Sequence, residues 1–427
     1  MGVALLIYER LKSVGAVSAL TVVCQLLIGA TFVFSGLSKA IDPVGTSIKI
    51  TEYMMHFGLG SLTGLAMGMS WLLSLIEFSL GFFVIIGHHR IMSAFFVSIF
   101  MLVMTPLSLY LALYNPVDDC GCFGDVWVLS NWGTFAKNVV LLALVVWLWW
   151  HRSKQKVLLN RSYYALYYYV EMSGVLVLLF LGTWQLPYID FRAYRPGVSL
   201  VEEKMSQTDD SDYIIVYEKD GEQREFSLDA LPAEDSGWTF VETRQPAQQI
   251  HSGSPASELV IFDEEGEEVT RSVLAGSEYV MLLISPDLRE AREHDIDRIE
   301  TLYEYALEHE YAFYCLTQRD PGAIEHWQFR TGSEYPFVYA DKQVIETMIR
   351  SNPGFMLLHN GTILWKSHLS GIDVPLLTSA KLSEQSLGQI QPINRKLRVF
   401  WVIVWLIAPL LLYLPLQIVK HSRKLSK

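Results

Sequence analysis

The chain has 427 residues, of which 51% are hydrophobic and only 18% charged. Soluble proteins carry about 25% charged residues, so the deficit points to burial in a lipid bilayer. The net charge of −12 argues against nucleic acid as a partner, because phosphate binding needs a basic face. The four cysteines (Cys24, Cys120, Cys122 and Cys315) are too few for a disulfide framework.

At the N-terminus Arg10 and Lys12 precede a long apolar run with no small-residue cleavage site, which reads as an uncleaved first span. A span needs about 20 mostly apolar residues. Six stretches qualify, near 16–37, 64–86, 91–113, 131–150, 167–186 and 398–417. Aromatic belts mark several ends, at Trp147, Trp149 and Trp150, at Tyr163 to Tyr169, at Trp184 with Tyr188, and at Trp401. Four short pieces (1–13, 87–90, 151–166 and 418–427) hold eleven Lys/Arg, whereas the opposite loops 38–63 and 114–130 hold only Lys39 and Lys49. That bias predicts cytoplasmic termini and an outward-facing segment 187–396, with Arg395, Lys396 and Arg398 as the exception at the outer edge of the last span.

Within the spans, Glu77 stands near the middle of the second. An ionisable group at that depth must face protein, water or a partner charge. It reads either as a proton relay or ligand contact, or as a structural hydrogen bond or neutral carboxyl; Lys137 either pairs with it or snorkels outward. Gly60, Gly64 and Gly68 have tandem GxxxG spacing, which predicts close helix packing. Pro106 predicts a kink in the third span. Cys24, deep in the first span, reads as a small buried hydrophobe.

The sharpest chemical signal is Asp118-Asp119-Cys120-Gly121-Cys122-Phe123-Gly124-Asp125, after the third span. Outside the cytoplasm thiols can oxidise and stay oxidised. Two cysteines around one glycine can close a strained ring, which suits exchange better than scaffolding. A static clip and a metal site stay open as alternatives. The flanking carboxylates predict raised thiol pKa values.

The segment Phe34-Ser35-Gly36-Leu37-Ser38-Lys39-Ala40-Ile41-Asp42-Pro43 resembles the first-span signature of the DoxX and MauE membrane families. In those families four helices form a small bundle, CGCFG follows the third helix in MauE-like members, and a carboxylate resembling Glu77 stands on the second. The resemblance covers about residues 14–150. It implies a quinone- or thiol-linked redox role in the cell envelope, with disulfide handling during maturation of a periplasmic enzyme. Mid-span lies ~15 Å below an external loop, a gap that a quinone ring or water chain would have to bridge from Glu77 to the cysteines.

Residues 187–256 read as a linker and then a hairpin, YIIVYEKDGEQREFSL, turning at Asp220-Gly221. The run 244–257 reads as a connector, and the acidic runs Asp209 to Asp212 and Asp263 to Glu268 as solvated surface. From 258 a strand with a turn (SELVIFDEEGEEV) precedes the buried strand 279–285 and an amphipathic helix over 287–309. A second buried strand holds Cys315; two short helices follow, then a closing hairpin across Asn360-Gly361. This α/β order resembles thioredoxin-like domains of the TlpA type, and Asn352-Pro353-Gly354 stands where that fold has its cis-proline. The family's Cys-x-x-Cys is replaced by Ser285-Pro286-Asp287-Leu288, and Cys315 reads as an inert core residue.

The expectation is therefore an α-helical bundle of six spans, the first four DoxX/MauE-like, plus an α/β thioredoxin-like extracytoplasmic domain. Its pieces are the membrane domain 1–150, a cytoplasmic loop and fifth span 151–186, the linker and hairpin region 187–256, the degenerate domain 257–396, and the sixth span with its basic tail 397–427. In a bacterial inner membrane Cys120 and Cys122 would exchange disulfides, Glu77 would serve proton or quinone chemistry, and a periplasmic client or redox partner would dock on the outer domain. The rival is a non-enzymatic scaffold or assembly factor whose loop is a clip; a transporter is a third option.

Overall fold

A computed structural model describes residues 16–117, 119–159, 161–184, 186–201, 214–219, 222–227, 239–244, 259–372 and 380–425. Arg10, Lys12, Asp118, the Asp209 to Asp212 run, the Asp220-Gly221 turn and the connector up to 258 lie outside the described residues. The chain divides into two units, residues 1–191 with 394–427, and residues 192–393.

The first unit is helical: α1 (Ala16–Ile41), α2 (Pro43–His56), α3 (Ala66–Ile86), α4 (Arg90–Tyr114), α5 (Asn131–Trp150), α6 (Arg161–Trp184) and, after the second unit, a C-terminal helix Arg395–Leu425. Among the described residues five helices are long and apolar enough to cross a membrane, Val17–Ile41, Gly60–Ile86, Arg90–Tyr114, Asn131–Trp150 and Tyr163–Trp184, so this is a multi-pass membrane protein. The break between α1 and α2 follows from Asp42-Pro43: the Asp42 side chain accepts from Gly45 N and proline starts the new helix.

Helices α1 and α3 approach closely, and the approach is not made by the predicted glycines. A Cβ on Gly64 or Gly68 would meet nothing within 4 Å, and Gly60 meets only the flexible Met55 side chain. A Cβ on Gly36 would lie 2.5 Å from Phe78 N and 2.8 Å from Ser74 O, and one on Gly81 would lie 2.5 Å from Val33 N. Gly36 and Gly81, with Gly29, thus bring the two backbones together, and Phe78, fully buried, packs beside the crossing. Pro106 lies inside α4, which continues unbroken to Tyr114.

The second unit contains β1 (Ile214–Lys219), β2 (Glu222–Ser227) and β3 (Thr239–Arg244), an antiparallel sheet in the order β2-β1-β3 that includes the predicted hairpin. Then come α7 (Thr270–Ala275), β4 (Tyr279–Ser285), α8 (Ile296–Glu308), β5 (Ala312–Thr317), α9 (Pro321–Thr331), β6 (Phe337–Tyr339), α10 (Lys342–Met348), β7 (Gly354–His359) and β8 (Thr362–His368). The C-terminal helix Arg395–Leu425 is α11. The five-stranded sheet runs β6-β5-β4-β7-β8, with β4, β5 and β6 parallel and β7 and β8 antiparallel to their neighbours. That connectivity is thioredoxin-like, and the Asn352–Pro353 bond is cis as expected. Asn360 and Gly361 both have positive φ (48° and 76°), as a tight hairpin turn needs.

Three local expectations fail. The stretch around Phe262 makes only isolated bridges, to Glu268 and Tyr339, and no strand. The helix predicted from 287 starts at Ile296; residues 288–290 and 293–295 are single 3₁₀ turns, and Arg292 N bonds Asn352 O. The linker reading of the first residues after the fifth span also fails, because Gly197 N bonds Ile363 O and Leu200 N bonds Gly361 O along the β8 edge. Backbone donors beside an open strand edge pair there instead of staying solvated.

Candidate functional site

The loop between α4 and α5 is tied at its base by Asn131, whose Nδ2 donates to Asn115 Oδ1 (2.7 Å) and to Val117 O (2.9 Å). Gly121 and Gly124 take left-handed φ values of 64° and 52°, which let the chain fold back so that Gly124 N reaches Gly121 O. The result brings the Cys120 and Cys122 sulfurs to 3.0 Å, as free thiols, each half-buried.

The loop is seated on α1. Lys39 Nζ donates to Cys122 O (2.6 Å), Ser35 Oγ (2.8 Å) and Glu77 Oε2 (2.7 Å), so all three ammonium protons are used. Ser35 Oγ itself donates to Cys122 O at 2.6 Å. The Lys39–Glu77 pair is almost fully withdrawn from the surface, with side-chain exposures of 4% and 5%. Glu77 is therefore paired, as a carboxylate at that depth must be, but its partner is Lys39. The gap expected between Glu77 and the cysteines is not there: one lysine touches both the carboxylate and the Cys122 carbonyl. Lys137 does not pair with Glu77; its Nζ stands 4.3 Å from the centre of the Phe123 ring.

The acidic flank also behaves differently from its sequence reading. Asp119 accepts from Gly121 N (2.8 Å) and pairs with Lys49 (3.3 Å), which also holds Glu52 (3.2 Å). The carboxylate thus shapes the turn and is locally neutralised. The two thiols split: Cys122 is lowered to about 6, first by the hydrogen bond from Cys120 and then by the Lys137 and Lys39 charges acting against burial. Cys120 moves up, because its proton is held in that same bond and because it is buried. The arrangement is a close pair of sulfurs in which the thiolate is favoured at Cys122.

Beside the loop the buried Phe123 contacts Phe34 (5.1 Å) and stacks on Trp127 (5.9 Å), both of which expose ring surface. Tyr53 OH donates to Cys120 O at 3.1 Å. Lys39, Ser35, Tyr53 and Lys49 were not singled out by residue chemistry. The signal for the first two was the i,i+4 spacing of Ser35 and Lys39 within the quoted first-span segment. A second intramembrane carboxylate, Glu171, was also missed; it is fully buried, and neither oxygen has a hydrogen-bond partner among the described residues.

Cys24 and Cys315 are 1% and 0% exposed, and burial pushes the Cys315 thiol up. Both are expected to resist a maleimide in the native protein and to react only after denaturation; labelling of either at the rate of Cys122 would contradict their assignment to the core. At the lost dithiol position of the second unit, Ser285 Oγ donates to Asn352 Oδ1 (2.6 Å) and Asn352 Nδ2 donates to Asp287 O (2.6 Å). That closed network carries no nucleophile.

Residues 17–151, from α1 to the end of α5, match the family model of methylamine utilisation protein MauE. Residues 211–247 match a domain of unknown function, DUF8463. No curated protein matches the chain significantly. Among solved structures, the solution structure of a candidate protein disulfide isomerase from Bacteroides thetaiotaomicron is 19% identical, with a TM-score of 0.22, covering 27% of this chain and 77% of that one. The thioredoxin-like description of the second unit stands on its strand order and connectivity.

Proposed function

We propose that this MauE-type membrane protein handles thiols and disulfides in the bacterial envelope, with Cys120 and Cys122 as the exchanging pair. The observation that carries the reading is the pair of free thiols 3.0 Å apart on a loop whose Cys122 carbonyl is held by Lys39. In this reading α11 is a sixth span of an inner-membrane protein, both termini are cytoplasmic, and residues 187–396 are periplasmic. The packing of α11 on α6 supports the sixth span: Tyr167 OH donates to Leu406 O (2.7 Å), and Trp405 covers Gly174.

The chemistry balances without a further reactant. The Cys122 thiolate attacks a disulfide of a periplasmic client, a Cys122–client S–S bond forms, the client's own S–S bond breaks, and its second sulfur leaves as a thiolate and takes a proton. Cys120 then gives up its proton and attacks Cys122. The mixed disulfide breaks, the client leaves as a dithiol, and the Cys120–Cys122 disulfide remains. The reverse sequence oxidises a client dithiol. Lys39 holds the Cys122 backbone and its charge favours the thiolate; Glu77 keeps that ammonium in place. When the reverse sequence has left Cys120 and Cys122 as a dithiol, a quinone would supply the two-electron, two-proton acceptor that re-forms their disulfide, and the exposed rings of Phe34 and Trp127 beside Phe123 are the residues that would hold it. The second reading, a non-enzymatic assembly factor, is supported by the closed Ser285–Asn352–Asp287 network, and in it the outer domain only binds a partner.

The test is a membrane-impermeant maleimide added to spheroplasts across a pH series. Because its folded pKa is lowered, Cys122 is a thiolate above about pH 6, so its labelling rate should rise through a midpoint near 6. A midpoint near 9, or labelling only in inside-out vesicles, would sink the proposal. In a Cys120→Ser protein the attacking thiol remains and the resolving one is gone, so mixed disulfides with clients should accumulate.

A further inference from the structure

The second unit carries a groove of about 280 Å³ between α8, α9 and the turn at 332–335. Its floor is apolar and buried, made by Ile299, Trp327 and Tyr335. Trp327 Nε1 donates to Tyr335 OH (2.9 Å) and Tyr303 meets Tyr335 edge-on at 5.6 Å, so the floor is fixed by ring contacts. Leu307, 60% exposed, stands on the α8 wall. Leu307 is the exposed apolar contact above that floor.

The rim has one sign. Glu300 and Glu304 lie four residues apart on the α8 wall, and Glu334 stands in the turn that forms part of the lining. All three are exposed, and among the described residues none has an ion-pair or hydrogen-bond partner. Like charges at i,i+4 repel one another and weaken a helix. The same face continues this pattern, with Asp297 one turn before and Glu308 one turn after. The groove also takes in Thr331 at the carboxyl end of α9, where the helix dipole adds negative potential. No basic residue lines it.

A volume near 280 Å³ is at or below the low end of small-molecule sites, but it accommodates one or two side chains of a docked segment. We infer that this groove docks a peptide segment of a partner protein, one whose apolar anchor side chains are flanked by Lys or Arg. The inference rests on the reading of residues 192–393 as the docking domain and specifies its recognition chemistry; it is independent of the exchange step at Cys122.

The experiment uses the full-length protein in nanodiscs of zwitterionic lipid, which do not attract a cationic probe. The probe is a fluorescein-labelled helical peptide with Leu and Trp at i and i+4 and Lys on both flanks. It should bind, and raising the ionic strength to about 0.5 M should weaken binding by screening the exposed rim. A Glu300→Lys/Glu304→Lys protein should bind at least about tenfold more weakly, while Leu307→Ser should weaken binding through loss of the anchor contact. All three positions are exposed, so folding is preserved, and maleimide labelling of Cys122 should be unchanged in each variant. That second readout separates this proposal from the thiol reading: loss of labelling with binding intact would sink only the latter. Equal binding of a Glu-flanked peptide, or unchanged affinity after charge reversal, overturns the docking site. So does a charge-reversed protein whose only change is its state of self-association, which would make the groove a contact between copies.

Discussion

Replacing Lys39 with Met, or Glu77 with Leu, is expected to destabilise the membrane bundle by about 3–5 kcal/mol in each case, and replacing both by far less than the sum. Each single change leaves a charge in a site where the pair is only 4% and 5% exposed. The double change leaves an apolar pair of similar volume, which for buried ion pairs is often neutral or stabilising. Glu77→Gln keeps the shape but strands the ammonium, so it belongs with the damaging singles; a neutral carboxyl at this position would have made that change harmless. Thermal unfolding of the four proteins in detergent measures the coupling, and additive effects would show that the pair is not an interacting unit. The Lys39→Met single also separates support from chemistry. With Lys39 gone and Glu77 still beside the loop, the labelling midpoint of Cys122 should move up from about 6, while Lys137 and the Cys120 hydrogen bond still hold it below an ordinary thiol. An unmoved midpoint would leave Lys39 a purely structural residue.

The parts of this protein that were legible in its sequence are those encoded by long, uniform patterns. Continuous apolar runs marked the spans and the buried strands β4 and β5, and the pair Asn360-Gly361 marked its turn. The cysteine loop was legible as chemistry because thiols at that spacing have few roles. Its neighbours were not, because contacts such as Lys39 to Cys122, 83 residues apart, depend on how two helices cross. Counting charge along the chain assigned the local carboxylates to the thiols, whereas in three dimensions Lys49 takes Asp119 and two distant lysines act on Cys122. The start of α8 was misplaced because its amphipathic pattern extends into residues whose backbone instead pairs with Asn352. Glu171 lay in the fifth span and went unread among its aromatic neighbours.

The glycines make the same point and lead to the other large effect. Gly81→Leu and Gly36→Leu are expected to abolish the folded bundle or lower its thermal stability sharply, whereas Gly64→Leu and Gly68→Leu should be tolerated. In water, replacing a mid-helix glycine gains up to about 1 kcal/mol of helix propensity, so propensity alone favours all four changes. Sterics decide otherwise at two of them. At Gly36 and Gly81 even a Cβ would stand 2.5 Å from a backbone nitrogen of the facing helix, and backbone cannot swing aside as a side chain can. Overpacking typically costs about 1–3 kcal/mol when side chains can adjust, and more is expected where two helix backbones must separate. Gly64 and Gly68 face open space, so nothing opposes the larger residue there. Separation of α1 from α3 would also pull Lys39, one turn beyond Gly36, away from Glu77 and the Cys122 carbonyl. Any Gly36→Leu protein that does fold should therefore show a raised labelling midpoint at Cys122, while Gly68→Leu should keep the midpoint near 6. Equal damage from all four substitutions would mean that the Gly60–Gly64–Gly68 face is engaged by a partner helix from another chain.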